Sequence, residues 1–325
     1  MNFPRISRTL LLLPLVQVPL IAAASVNMKD GNYFRTFTDG GILSRSYSSR
    51  SIHNGYFGYG WCSDLELRLD VTAPSEIRLE RCGTVTTFTN IKKSVYIYGA
   101  KRLERLKDRF VLSDGGRRWT FESDGRLKNW RQGREDITLD LGADGRPLRI
   151  GSRRLGTWTI EWTTNKITKL ETPHGRGVFY FYGGENLRRT VDSSSAPVSF
   201  SYDDLHNLTN VAGPGVETVV YDIGRDLVLE LQREDGCSET FQYSRTTAAQ
   251  EIMEIATADV ECRGLHSNVS HEFVYLNRPG GGTVLTRVKS TVNGELRGSR
   301  DFEVRGPASR SVVNVCCGGY GRRDR

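Results

Sequence analysis

His271-Glu272 opens the pattern of a zinc protease, in which a second histidine four residues on completes the metal pair. The residue at that position is Tyr275, so the pair is missing, and Glu272-Phe273-Val274-Tyr275 alternates as a strand does. Gly55-Tyr56-Phe57-Gly58-Tyr59-Gly60 has the glycine spacing of a phosphate loop. No Lys-Ser/Thr follows it and no strand–helix–strand unit surrounds it, so it reads as a turn with aromatic packing. There is no Gly-x-Ser-x-Gly elbow to present a hydrolase nucleophile. The five histidines are dispersed and no Cys-x-x-Cys occurs, which argues against zinc. No catalytic, metal-binding or cofactor-binding residue is expected, and the chain reads as a non-enzyme.

Binding chemistry has more material. Trp119, Trp130, Trp158 and Trp162 offer faces for sugar stacking, and Trp158 and Trp162 share one strand face at period 2. The plainer reading is that they fill a sheet core. Lys101, Arg102, Arg105, Lys107 and Arg109 form a basic cluster interrupted only by Glu104 and Asp108, with the doublets Arg117-Arg118 and Arg153-Arg154 beyond it. These cations suit an acidic polysaccharide or lipid headgroups, or else a solvated face. Lys and Arg total 45 against 38 Asp and Glu, a formal charge of +7. The acids interleave with the bases, which disfavours nucleic acid.

Met1 to Ala24 has the form of an export signal: Arg5 and Arg8, an apolar run from Leu10 to Ile21, then Ala22-Ala23-Ala24. The run is shorter than the roughly 20 residues of a membrane span, and Pro14 and Pro19 interrupt it. Cleavage before Ser25 leaves 301 residues and, with two arginines and no acid removed, a charge of +5. The product is expected to be exported, to the periplasm, the surface or the medium, with no membrane anchor. In such a compartment six cysteines suggest disulfides. Separation favours Cys62–Cys82 and Cys237–Cys262, each worth about 3 kcal/mol by loop entropy. Cys316 and Cys317 are adjacent, which strains a direct bond and favours free or intermolecular thiols.

These residues must be positioned by strands. Trp158-Thr-Ile160-Glu-Trp162, Phe179-Tyr-Phe181 and Val198-Ser-Phe200-Ser-Tyr202 alternate at period 2, and Asp124-Gly125, Asp144-Gly145, Gly183-Gly184 and Asp235-Gly236 mark turns. The best helical candidate, Thr247 to Ala258, is one short segment. The strands recur as a unit. Leu127, Leu148, Ile167, Leu187, Leu208 and Leu227 follow one another at 19–21 residues. Each unit reads as strand, turn, strand, with the aromatic before the turn facing the aliphatic anchor after it. Hairpins that are marginal alone bury a continuous core when stacked.

The unit resembles the YD repeat of the RHS family, Tyr-Asp-x-x-Gly-Arg/Asn-Leu-Thr. Its copies here are Tyr202-Asp203-Asp204-Leu205-His206-Asn207-Leu208-Thr209 and Phe121-Glu-Ser-Asp-Gly125-Arg126-Leu127. His206 stands where the family has glycine. Upstream, Gly31-Asn32-Tyr33, Phe37-Thr38-Asp39, Arg45-Ser-Tyr47 and Phe57-Gly58-Tyr59-Gly60-Trp61 follow the family order, and the likeness runs from Val26 to Arg305. It implies a β-sheet shell. Long members wind many hairpins into a cocoon that holds a C-terminal toxin; others sit on the cell surface and bind carbohydrate or other ligands. Here about six to eight hairpins have room. The Asp-Pro of the self-cleavage motif is absent.

The expected fold is therefore all-β, with stacked antiparallel hairpins in a curved, open YD-repeat sheet and little helix. Its parts would be a signal at 1–24, an N-terminal β region at 25–117, repeats at 118–245, divergent strands closing the sheet at 246–305 and a tail at 306–325. The expected function is a non-catalytic envelope or surface protein that binds carbohydrate or protein, with Trp158 and Trp162 as stacking platforms. The alternatives are an incomplete or split shell of a toxin-delivery system, whose continuation chain would pair with the open sheet edge, and an envelope-polymer hydrolase hidden in the scaffold.

Overall fold

The computed structural model describes residues 25–302 except 74, 93, 133–134, 249 and 279–280. The expected signal and tail, with Cys316 and Cys317, lie outside the described residues. Twenty-three strands, from Leu67–Asp70 to Glu295–Asp301, form one antiparallel sheet in which successive strands are neighbours. The sheet is the open, curved array expected. No ladder joins its last strand to its first among the described residues. The first strand instead meets the turn after the strand Arg117–Glu122, through an isolated bridge between Arg68 and Arg126 and a bond from Leu69 N–H to the Gly125 carbonyl at 2.9 Å. The only helix described is a single 3₁₀ turn, Asp64–Glu66. None is long and apolar enough to cross a membrane.

The count exceeds the six to eight hairpins expected because the array is longer at both ends than the repeat motif. Pairing begins at Leu67, well before the first repeat, and continues through five long strands from Ser238 to Asp301. The helical candidate within Thr247 to Ala258 is part of this extension: Glu251–Cys262 is a strand paired along both sides. Ile252, Ala256 and Ala258 are buried at even spacing. Two long ladders outweigh helix propensities worth only tenths of a kcal/mol per residue.

A second, four-stranded antiparallel sheet is made by Ser25–Asn27, Asn32–Asp39, Leu43–Ser48 and Trp61–Ser63. It packs on the inward face of the repeats, and Tyr33, Leu43, Tyr47 and Trp61 share one apolar core with Ile167, Leu187, Phe200 and Leu208. A two-residue-stranded hairpin, Asn54–Gly55 with Gly58–Tyr59, projects from it.

The twenty-residue period has a local cause. In all six repeats the pairing register shifts just before the key aromatic or its equivalent, at Phe121, Leu141, Trp162, Tyr182, Tyr202 and Tyr221. Such bulges raise strand twist and re-aim the next side chain. The re-aimed residue reaches back one repeat. Trp162 Nε1 donates to the Pro147 carbonyl (2.9 Å), and the hydroxyls of Tyr182, Tyr202 and Tyr221 donate to the carbonyls of Ile167 (2.7 Å), Leu187 (2.8 Å) and Leu208 (3.1 Å). The aspartate that follows builds the turn. Asp203 Oδ1 accepts the amides of Leu205 and Asn207, and Asp222 Oδ1 those of Gly224 and Arg225.

Phe121–Leu127, Trp162–Ile167, Tyr182–Leu187 and Tyr202–Leu208 are direct cross-strand partners, as expected. In two repeats the anchor lies one residue away. Leu141 faces Pro147 and Tyr221 faces Val228. Pro147 and Val228 are buried, while Leu148 is 45% exposed. Pro147 stands where Leu127 does, because the turn after Leu141 has the same length as the turn after Phe121, whereas the turn after Tyr221 is one residue longer than the turn after Tyr202, which swaps the faces of the strand that follows.

Tyr202→Phe tests this ladder. It strands the Leu187 carbonyl and also Trp61 Nε1–H, which donates to Tyr202 Oη at 3.0 Å. The expected loss is about 1–3 kcal/mol in chemical denaturation; a loss below 0.5 kcal/mol, roughly the noise of a surface substitution, would refute the role.

Candidate functional site: the interface between the N-terminal sheet and the repeats

Two buried ionic clusters sit where the sheets meet. Arg35, 3% exposed, pairs with Glu217 of the repeats and donates to the Gly215 carbonyl at 3.3 Å. The Tyr33 hydroxyl donates to Glu217 Oε2 at 2.6 Å. In the second cluster Arg45, 1% exposed, donates through Nε to Asp39 Oδ2 at 2.6 Å, and the Tyr180 hydroxyl of the repeats donates to the same oxygen at 2.9 Å. The Arg45 guanidinium lies 4.5–4.7 Å from the ring centres of Trp61 and Phe37, so aromatic faces replace part of its lost hydration.

Backbone contacts dock the same surfaces. Tyr47 Oη donates to the His206 carbonyl and accepts the Leu208 amide, both at 2.9 Å. Ile167 N–H donates to the Tyr56 carbonyl (3.0 Å), Tyr59 N–H to the Glu185 carbonyl (3.0 Å) and Val228 N–H to the Gly31 carbonyl (3.1 Å). His206 keeps the left-handed turn (φ +67°) that glycine supplies in the repeat. Its ring stacks on Tyr59 at 4.3 Å, and its Nδ1 is 2.9 Å from Asn186 Oδ1. These contacts offset the strain of a non-glycine residue there.

Burial pushes the Tyr33, Tyr47 and Tyr180 hydroxyls well above the usual tyrosine range, with Glu217 and Asp39 reinforcing the effect at Tyr33 and Tyr180. The folded form therefore holds these protons longer than the unfolded chain, whose tyrosines titrate near pH 10. Stability is full below about pH 10 and falls as pH rises above it. Tyrosinate absorbance and circular dichroism should show these residues ionising together with unfolding. Complete ionisation near pH 10 with the sheet intact would contradict their burial.

Beside this interface lies a cavity of about 550 Å³, lined by His53, Tyr56, Glu66, Arg68, Arg126, Leu139 and Arg146 among others. His53 Nε2 is 2.8 Å from Glu66 Oε1, which also accepts the Tyr56 amide at 2.8 Å. Lys166 Nζ donates to the Gly55 carbonyl at 2.7 Å, and burial lowers its pKa. Arg68, Arg126 and Arg146 are matched around the cavity by Glu66, Glu80 and Asp144, so the cavity has no single sign of charge. His271 lies in the strand Leu265–Asn277, with Nδ1 2.8 Å from Ser290 Oγ and its pKa lowered by burial.

Cys62–Cys82 and Cys237–Cys262 are disulfides in the structure, with Cα–Cα distances of 5.5 and 4.1 Å. The first ties the N-terminal sheet to the turn after Glu76–Arg81; the second joins the strand Glu251–Cys262 to the turn before Ser238. Trp158 is 7% exposed, and its six-membered ring lies so close to Gly40 that a Cβ there would fall 2.5 Å from it. Trp162 is half-buried, edge-on to Tyr56 at 4.7 Å and beneath Arg146. The two rings are not a joint platform: one is under the N-terminal sheet and the other is hydrogen-bonded within the ladder. In the basic cluster Lys101 pairs with Asp114 at 3.1 Å, and Arg102 with Glu104.

Asp39, Arg45 and Tyr47 stood in the motifs quoted from sequence, but nothing there marked them as buried. Glu217 had no sequence signal, because its partners are 182 and 184 residues away, at Arg35 and Tyr33.

A family model described as a domain of unknown function, DUF6531, matches residues 23–88. This spans the N-terminal sheet and the first two strands of the large one and ends within the third, Thr84–Lys92. No curated protein matches. Among solved structures, "Crystal Structure of TcdB2-TccC3-Cdc42" aligns over 85% of this chain and 16% of that one, with 9% identity and a TM-score of 0.31. The chain thus spans about a sixth of that protein's length.

Proposed function

We propose that this chain is an RHS/YD-type shell segment, exported to the envelope or surface, which acts without catalysis by binding another protein at its open sheet edge. The observation that carries this reading is the asymmetry of the array. The inward face of the repeats is filled by the chain's own N-terminal sheet, whose Gly40 turn covers Trp158, while Trp162 packs on Tyr56 of the small hairpin. The last strand, Glu295–Asp301, pairs on one side only among the described residues, and all seven of its residues are exposed. Unpaired edge amides and carbonyls are a template for strand addition. Glu295, Arg297, Arg300 and Asp301 discourage indiscriminate pairing and favour a partner strand of complementary charge.

Analytical ultracentrifugation and hydrogen exchange on residues 25–325 test the proposal. Concentration-dependent association that slows exchange within 295–301 supports strand addition. A monomer at all concentrations with slow exchange at this strand would mean that the chain caps itself, and would defeat the reading. Binding on a glycan array that is lost in Trp162→Ala, with circular dichroism unchanged, would favour carbohydrate instead.

A further inference from the structure

In the sequence the histidines are dispersed and no Cys-x-x-Cys occurs, which argues against zinc. The fold brings four ligand-type residues together. His53 comes from the loop before the small hairpin, Cys62 from the last strand of the N-terminal sheet, Glu66 from the 3₁₀ turn and Cys82 from a turn of the large sheet. A ring nitrogen of His53, a carboxylate oxygen of Glu66 and Cys82 Sγ all lie within 4.8 Å of one another, and Cys62 Sγ is bonded to Cys82 Sγ. We propose that reduction of the Cys62–Cys82 disulfide converts this cluster into a zinc site with His53, Glu66, Cys62 and Cys82 as ligands, so that either a disulfide or a metal clasps the two sheets.

The donor set of one imidazole, one carboxylate and two thiolates suits zinc and is too soft for magnesium or calcium. Bonds of about 2.0–2.3 Å to a tetrahedral zinc place ligand atoms roughly 3.3–3.8 Å apart. His53 Nε2 and Glu66 Oε1 are 2.8 Å apart, and Cys82 Sγ and Glu66 Oε2 are 3.9 Å apart, so three donors need only small shifts, while Cys62 Sγ must part from Cys82 Sγ to the same spacing and turn toward the other three once the disulfide opens. Glu66 is already oriented by the amides of Tyr56 (2.8 Å) and Ser63 (3.1 Å), and the cavity it lines gives an ion access. The other cluster, Asp235 with Cys237 and Cys262, has no histidine.

A dithiol supplies the two electrons and two protons that open the sulfur–sulfur bond, and leaves as a disulfide. Zinc then displaces the two thiol protons, binding neutral His53 and ionised Glu66. In the oxidised chain both sulfurs are bonded to each other and no thiolate exists to bind. The two states exclude one another, and metal opposes reoxidation.

The test uses residues 25–325 with Cys316→Ser and Cys317→Ser, reduced anaerobically, loaded with zinc chloride, freed of excess metal, and read by metal analysis and X-ray absorption. One zinc per reduced chain with two sulfur and two nitrogen or oxygen neighbours is expected, with none retained by the oxidised chain. His53→Ala and Glu66→Gln should each weaken binding at least tenfold. Equal retention by the oxidised chain, a four-sulfur shell, or undiminished affinity in both variants would overturn the proposal. If reduction loosens the fold, zinc must restore the native circular dichroism; failure to do so would equally overturn it.

Discussion

Glu217→Ala is expected to destabilise the fold by about 3–5 kcal/mol, among the largest effects of any single truncation in this chain. The reason is the charge it leaves behind. Arg35 is buried beneath the N-terminal sheet, and removal of Glu217 takes away its counter-ion and the acceptor of the Tyr33 hydroxyl together. The ion pair need not itself be a strong net source of stability. Desolvation of both charges cancels much of their attraction, so an apolar replacement of similar volume is often neutral or better. The triple variant Tyr33→Phe, Arg35→Met, Glu217→Leu should therefore recover most of the loss. Urea denaturation of the three proteins separates the cases. A cost below about 1 kcal/mol for Glu217→Ala would mean that Arg35 reaches water, as an exposed pair does, and that the sheets do not meet as described. Failure of the triple variant to recover would assign the pair a positive contribution of its own.

Gly58→Ala is expected to be the second large effect, and Gly236→Ala its control. Both glycines have left-handed backbones, φ +97° and +78°, so both substitutions incur the strain of a side chain there, about 1 kcal/mol. They differ in what surrounds them. A Cβ at Gly236 meets nothing within 4 Å, whereas one at Gly58 would sit 2.5 Å from the Glu185 carbonyl oxygen. That carbonyl already accepts Tyr59 N–H and belongs to a tight turn, so it has little room to retreat. The small hairpin must lift off the repeats, breaking the Tyr59–His206 stack and the seat of Phe57, which is fully buried and packs edge-on to Tyr180 at 5.1 Å. A total cost of about 3 kcal/mol or more is expected, against about 1 kcal/mol at Gly236. Melting curves of the two variants give the comparison directly. Equal losses would show that the hairpin is not held against the repeats.

Much of the architecture was legible in sequence because it is local. Alternation marks a strand, Asp-Gly and Gly-Gly mark its turn, and the spacing from Leu127 to Leu208 reports one hairpin per twenty residues. The physical basis of the Tyr-Asp pair is local as well: a bulge re-aims the tyrosine, and the aspartate caps the turn beside it. The errors are also local in kind. Leucine is the usual apolar choice, so Leu148 and Leu227 read as anchors, but Pro147 is the residue in register with Leu127, and a turn one residue longer than that after Tyr202 brings Val228 to the inner face. One departure is not local: Tyr180 is buried and Phe181 half-exposed, the reverse of hydrophobicity ranking, and the Tyr180 hydroxyl is satisfied by Asp39, 141 residues away.

Strand alternation, the length of each unit and the residues of its turns can all be read along the chain. Those properties depend on interactions within about twenty residues, and such interactions leave periodic traces. The packing of the N-terminal sheet on the inward face of the repeats, the meetings of Arg35 with Glu217 and of Asp39 with Tyr180, and the gathering of His53, Glu66 and the Cys62–Cys82 pair come from the folded chain alone. These contacts bring together segments that are distant along the chain or aimed by different elements. No spacing encodes them, because they are set by how far each bulge turns the sheet before the next strand is laid down.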